Sequence, residues 1–300
     1  MKFLKINRIY LIIGLGITLS IFFMYLNDNY IFQSLITYLF DKKEFINNQK
    51  LSDNPFMGKN VFEYLSFILS RPELKHFDYN IIFGPNLLQL FPPVFASISA
   101  YLFYQFYHNF LHYKLYRQDR YFKTIIKQIG SNANKMALSI FISFLIFYIF
   151  LFFFSNGSNA ISYVEKDSTG VIIIPKSLLL DLFTDQFYLK HIYLYYLLEG
   201  FIKFYLITFS YCFLAQSLVV FFYNLKLIIM IPILYFYGLT MLCLALNDFC
   251  PPLFIHLNLM TIMANGDYPY LNSIILILLA CLPIMMSIII VFQRSHHVEI

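Results

Sequence analysis

Six stretches of this chain are apolar enough to cross a lipid bilayer, and five of them carry no charged side chain. They run from about residue 9 to 26, 86 to 110, 136 to 154, 201 to 223, 227 to 246 and 272 to 292, and only the fourth holds a charge, Lys203. A hydrocarbon core about 30 Å thick is crossed by roughly 20 residues of helix. Inside it, every backbone polar group needs a partner within the protein, which leaves helices and closed barrels. The expected fold class is therefore an all-α polytopic membrane protein with six transmembrane helices, read as a single domain over 1–300. Composition agrees: 60% of residues are hydrophobic and 12% charged, against about 25% charged in soluble domains.

Charge orients the spans. Between the second and third runs, His112 to Lys135 carries Lys114, Arg117, Arg120, Lys123, Lys127 and Lys135 against one acid, Asp119. Short loops rich in Lys and Arg stay in the cytoplasm, so this loop is placed inside and the rest alternates from it. Both termini are then cytoplasmic, and 28–83, 155–198 and 247–270 are extracytoplasmic. Thirteen of the sixteen acids fall in those three outer segments, as this orientation requires. The run from Ile9 to Leu26 follows Lys2, Lys5 and Arg8 without a small-x-small cleavage pattern, so it reads as an uncleaved first span. The net charge of +5 is explained by this loop asymmetry and calls for no nucleic acid.

Finer features leave alternatives open. Val61, Phe62, Leu65, Ile68 and Leu69 share one helical face, which fits an amphipathic helix on the outer leaflet or part of a small packed outer domain. Val171 to Ile174 is a short strand or a membrane-dipping stretch. Pro92-Pro93 is expected to break or kink the outer part of span two. Asn224-Leu225-Lys226 makes a tight inner turn between spans four and five. The four cysteines, Cys212, Cys243, Cys250 and Cys281, lack metal-type spacing.

Catalytic signatures are missing: there is no phosphate-binding G-x-x-x-x-G-K-[ST], no H-E-x-x-H and no G-x-S-x-G. No catalytic residue and no metal site is assigned. His108 and His112 have helical ligand spacing, but no third ligand is evident. Ser97, Tyr101, Gln105 and His108 fall on one face of span two, as residues lining a substrate pathway or packing on another polar helix. Ser210, Ser217 and Asn224 form a thinner stripe on span four, at spacing typical of helix packing. Glu199 and Lys203, at i and i+4 near the outer start of span four, read either as a gate on a pathway or as an interfacial pair that satisfies itself while the lysine reaches out to water.

In the basic loop, Leu115, Phe122, Ile125, Ile126 and Ile129 group on one side of a helical projection, with Gly130-Ser131-Asn132 expected to end the helix. The order of elements — six spans, both ends inside, a large first outer loop, this basic helix, the tight inner turn and Pro251-Pro252-Leu253 before the last span — resembles an ABC-2-type ABC transporter permease. The matching stretches are Arg120 to Ser131, Pro251-Pro252-Leu253 and Phe292-Gln293-Arg294. The resemblance implies that Arg117, Arg120, Tyr121, Phe122, Ile125, Ile126, Ile129 and Gly130 form a coupling helix docked on a cytoplasmic ATPase subunit. It also implies a second permease subunit, identical or related, and ATP and Mg bound by the partner, with no cofactor on this chain. The expected function is export of a hydrophobic or amphipathic substrate across the plasma membrane of a bacterium, embedded in membrane lipid. A polytopic membrane enzyme of lipid or cell-wall metabolism and a non-transporting sensor or assembly protein are the competing readings.

Overall fold

The structure, a computed structural model, describes residues 2–29, 31–40, 61–70, 72–85, 88, 91–108, 121–155, 165–166, 172–173, 185–246 and 273–298. The protein is an all-α membrane protein with four helices long and apolar enough to span a bilayer: Arg8–Asn27, Tyr121–Phe154, Ile192–Phe221 and Leu225–Leu242. A two-residue antiparallel ladder pairs Glu165 with Ile173 and Lys166 with Ile172, so the Ile172–Ile173 pair is a strand.

In chain order the helices are α1 (Lys2–Asp28), α2 (Ile31–Phe40), α3 (Val61–Leu69), α4 (Phe77–Phe83), α5 (Pro92–Phe106), α6 (Tyr121–Phe154) and α7 (Asp185–Lys190). Then α8 joins Ile192–Gly200 to Ile207–Phe221 through a π segment, Phe201–Leu206. In α9 a π segment, Leu234–Gly238, follows Pro232 and links Leu225–Ile233 to Leu239–Leu246. A proline inside a helix withholds one ladder donor, and a widened turn just beyond it is one way the backbone adjusts. The last helix, α10, is Ser273–Val298.

The break expected at Pro92-Pro93 is where α5 starts: both prolines occupy its first turn, where a missing N–H costs nothing. The described helix is accordingly 15 residues long, shorter than the run of 86–110. One expectation is corrected here: Gly130-Ser131-Asn132 does not end the basic helix. It continues into the third span as one 34-residue rod, because Asn132 and Ala133 are buried and Gly130 sits against Phe213. Tertiary burial here outweighs the weak helix propensity of Gly, Ser and Asn.

The chain divides into two compact units. The larger comprises residues 1–17, 86–145 and 175–300; the smaller comprises 18–85 and 146–174. At the centre of the larger unit lies the Ile207–Phe221 part of α8, buried along its whole length save Phe209 and Phe221, with α5, α9 and α10 around it. In the smaller unit Tyr25 donates to the Leu74 carbonyl at 3.1 Å. The Asn80 side chain accepts from Asn29 and donates to the carbonyls of Leu74 and His76. Tyr38 stacks on Tyr64 with ring centroids 4.7 Å apart. The helix expected near 61–69 is present, but its inward residue is Tyr64, while Phe62 is 84% exposed. Of the apolar face expected there, Phe62 and Leu69 are exposed and Leu65 is half-buried.

Helix α1 lies alongside α6 and runs in the same direction. Gly14 meets Ser139 and Ser143, and Phe22 and Tyr25, further along, meet Phe147 and Phe150. The approach is close enough that a Cβ on Gly14 would stand 3.3 Å from the Ser139 carbonyl oxygen, while the Ser143 hydroxyl donates to the Gly14 carbonyl at 2.8 Å. Small residues that let backbones approach are the usual means of helix association in lipid.

Candidate functional site: a basic helix end and a buried ion pair

Four helix ends meet at one end of the larger unit. Tyr107, just past α5, shares a 3.0 Å hydrogen bond with Tyr121 at the start of α6. Phe122 packs edge-on against Phe292 near the end of α10. The guanidinium of Arg294 approaches the Tyr223 hydroxyl, and Tyr104 donates to the Tyr223 carbonyl. Asn224 then caps α9 by accepting from the Lys226 amide at 3.0 Å, which makes the expected tight turn between α8 and α9.

The rod α6 leaves this end with a changing outer face. Lys123, Lys127 and Ser131 are exposed on its first third; Leu138, Ile142, Ile146, Ile149 and Phe153 are exposed on the rest. At 1.5 Å per residue the rod is about 51 Å long, roughly 20 Å more than a hydrocarbon core. The polar stripe marks the Tyr121 end as the part that stands outside it. Of the residues assigned to docking, Tyr121, Ile125 and Ile129 are buried, and Phe122, Ile126 and Gly130 half-buried. They fasten this end to the core, and the exposed groups are Lys123 and Lys127. Arg117 and Arg120 lie outside the described residues.

The proposed pathway stripe separates. Ser97 is buried and donates to the carbonyls of Pro93 and Ile229. Tyr101 and Gln105 are exposed and bonded to each other at 2.7 Å. His108 sits among the rings of Tyr104, Tyr107 and Tyr223, and His112 lies outside the described residues. Among the described residues no cluster of three His, Cys, Asp or Glu is placed to hold a metal. Ser210 and Ser217 donate back to their own helix.

The residues that sequence reading placed wrongly are Glu199 and Lys203. They form an ion pair, but both are buried, at 3% and 4% exposure. The apolar helix begins at Ile192, so the pair lies about 10 to 17 Å along it, covered by the protein itself. Gly200 lies between the two charges, and the Phe144 ring occupies the space where a side chain there would stand. Phe144 stacks on Phe204 at 4.8 Å. Lys203 and Phe204 belong to the π segment; such widened turns are frequent at functional sites. The i, i+4 spacing was legible in the sequence; the burial was not, because charges normally mark a span's edge. A second polar contact was missed outright: Gln216 donates to Ser99 at 2.6 Å, both fully buried, and the Gln216 carbonyl oxygen has no hydrogen-bond partner.

No protein-family model, curated protein or solved structure matches this chain.

Proposed function

We propose that this chain is the membrane-spanning subunit of an ABC transporter of the ABC-2 type. It exports a hydrophobic or amphipathic substrate and is driven by a separate cytoplasmic ATPase that supplies ATP and Mg. Two such subunits pair, as a homodimer or with a related chain, in the plasma membrane of a bacterium. The observation that carries this reading is α6. A rod longer than the bilayer, basic where it emerges and fastened to three other helix ends, passes a push at Lys123 and Lys127 directly into the core. Switching between packed states needs such a rigid element.

Six spans with both termini cytoplasmic go with this reading. The parallel run of α1 and α6, and the shared end of α5, α6, α8 and α10, are what alternating crossings produce. Replacing Lys123 and Lys127 with Glu tests the docking role, because both are exposed and the fold tolerates the change. The variant is expected to insert normally and to lose the ATPase on purification; unchanged recovery of the ATPase refutes the role.

The buried Glu199–Lys203 pair favours a second reading, a carrier driven by an ion gradient, since ionisable residues inside a span mark ion and substrate paths. Transport that persists without any ATPase and stops when the proton gradient is collapsed selects it.

A further inference from the structure

Arg8 on α1 and Lys135 on α6 stand at about the same height. The helices are parallel, and Gly14 faces Ser139 and Ser143, so six residues back along each brings Arg8 level with roughly Lys135. Arg8 is exposed and Lys135 half-buried, with exposed Ser131 one turn below. Directly above them the surface is apolar on both helices: Leu11 and Leu15 on α1 are 67% and 63% exposed, and Leu138 and Ile142 on α6 are 40% and 51% exposed. Leu15 comes one residue after the contact position Gly14. Leu138 and Ile142 come one residue before the contact positions Ser139 and Ser143. On parallel helices that face each other these opposite offsets turn to the same side. The result is one continuous apolar strip with two cations at its foot, all within the larger unit.

We infer that this strip binds an anionic phospholipid, its phosphate on Arg8 and Lys135 and its acyl chains along Leu11, Leu15, Leu138 and Ile142. The cations sit only at the foot and the apolar side chains only above, which is the order of charge and hydrocarbon along such a lipid. A free phosphate would leave the apolar strip bare, and an acidic soluble partner would be excluded from it. This assignment is independent of the permease reading.

The test uses the full chain in mild detergent with three probes: dioleoyl phosphatidylglycerol, dioleoyl phosphatidylcholine and glycerol phosphate, with retained molecules counted by native mass spectrometry. The anionic lipid is expected to bind more tightly than phosphatidylcholine, and glycerol phosphate not to compete. Each basic residue near an anionic surface changes affinity by roughly fivefold. Arg8→Gln with Lys135→Gln is therefore expected to weaken the anionic lipid by about 25-fold, and Lys226→Gln, on the α8–α9 turn, to leave it unchanged. Lipid co-purifying with the unaltered chain supplies a readout that needs no variant, with enrichment of anionic species expected. Equal binding of the two lipids, competition by glycerol phosphate, or cross-linking of Leu138→Cys to a second polypeptide in the native membrane overturns the assignment.

Discussion

Removing either charge of the Glu199–Lys203 pair is expected to destabilise the protein far more than removing both. Both side chains are buried within an apolar helix, so a single substitution takes its ion-pair partner from a charge that stays buried. Breaking a buried pair this way costs about 3–5 kcal/mol. Lys203→Met and Glu199→Gln should each therefore cost about 3–5 kcal/mol. At roughly 2–3 °C per kcal/mol for a chain this large, that is about 6–15 °C in the unfolding midpoint. The double variant strands no charge and should lie within about 2 kcal/mol of the native protein. Exchanging the residues, Glu199→Lys with Lys203→Glu, should recover most of the loss. Thermal unfolding in detergent, followed by circular dichroism for all four variants, supplies the cycle. Additive single and double effects, or singles within about 1 kcal/mol of native, would refute the buried coupling.

Three further outcomes are expected. Gly200→Ala should cost about 1–3 kcal/mol, because its methyl enters the Phe144 ring and overpacking is destabilising, and Phe144→Leu in the same chain should relieve part of that loss in the unfolding midpoint. Cys212, fully buried, should resist maleimide in the native state and react on denaturation, as mass spectrometry of the labelled chain reads directly. Cysteines at Gln49 and Gly157 should label from outside intact cells while one at exposed Ser131 should not, and outside labelling at Ser131 would reverse the orientation.

Four of the six expected spans meet a helix long and apolar enough to cross, because length and apolarity act locally: the run of 9–26 became Arg8–Asn27, and that of 136–154 lies inside Tyr121–Phe154. The features that shape the candidate site are tertiary. Continuity through Gly130 depends on Phe213 from another helix, and the depth of Glu199 depends on Lys203 neutralising it at once, which lets α8 begin at Ile192 instead of Phe201. The two long π segments leave no pattern in residue type that periodicity detects. The Gln216–Ser99 bond joins two helices whose registers cannot be aligned from sequence alone. Asn224, by contrast, was readable as a turn residue, since its capping bond reaches only two residues ahead.

In the proposed mechanism this chain passes motion from an ATPase into the membrane. Purification of the tagged chain from its native cell in mild detergent, with every co-purifying protein identified by mass spectrometry, tests it most directly. The account predicts a P-loop ATPase in stoichiometric amount, lost in the Lys123→Glu, Lys127→Glu variant. Recovery of the chain without an ATPase, from cells in which its transport remains active, would contradict it.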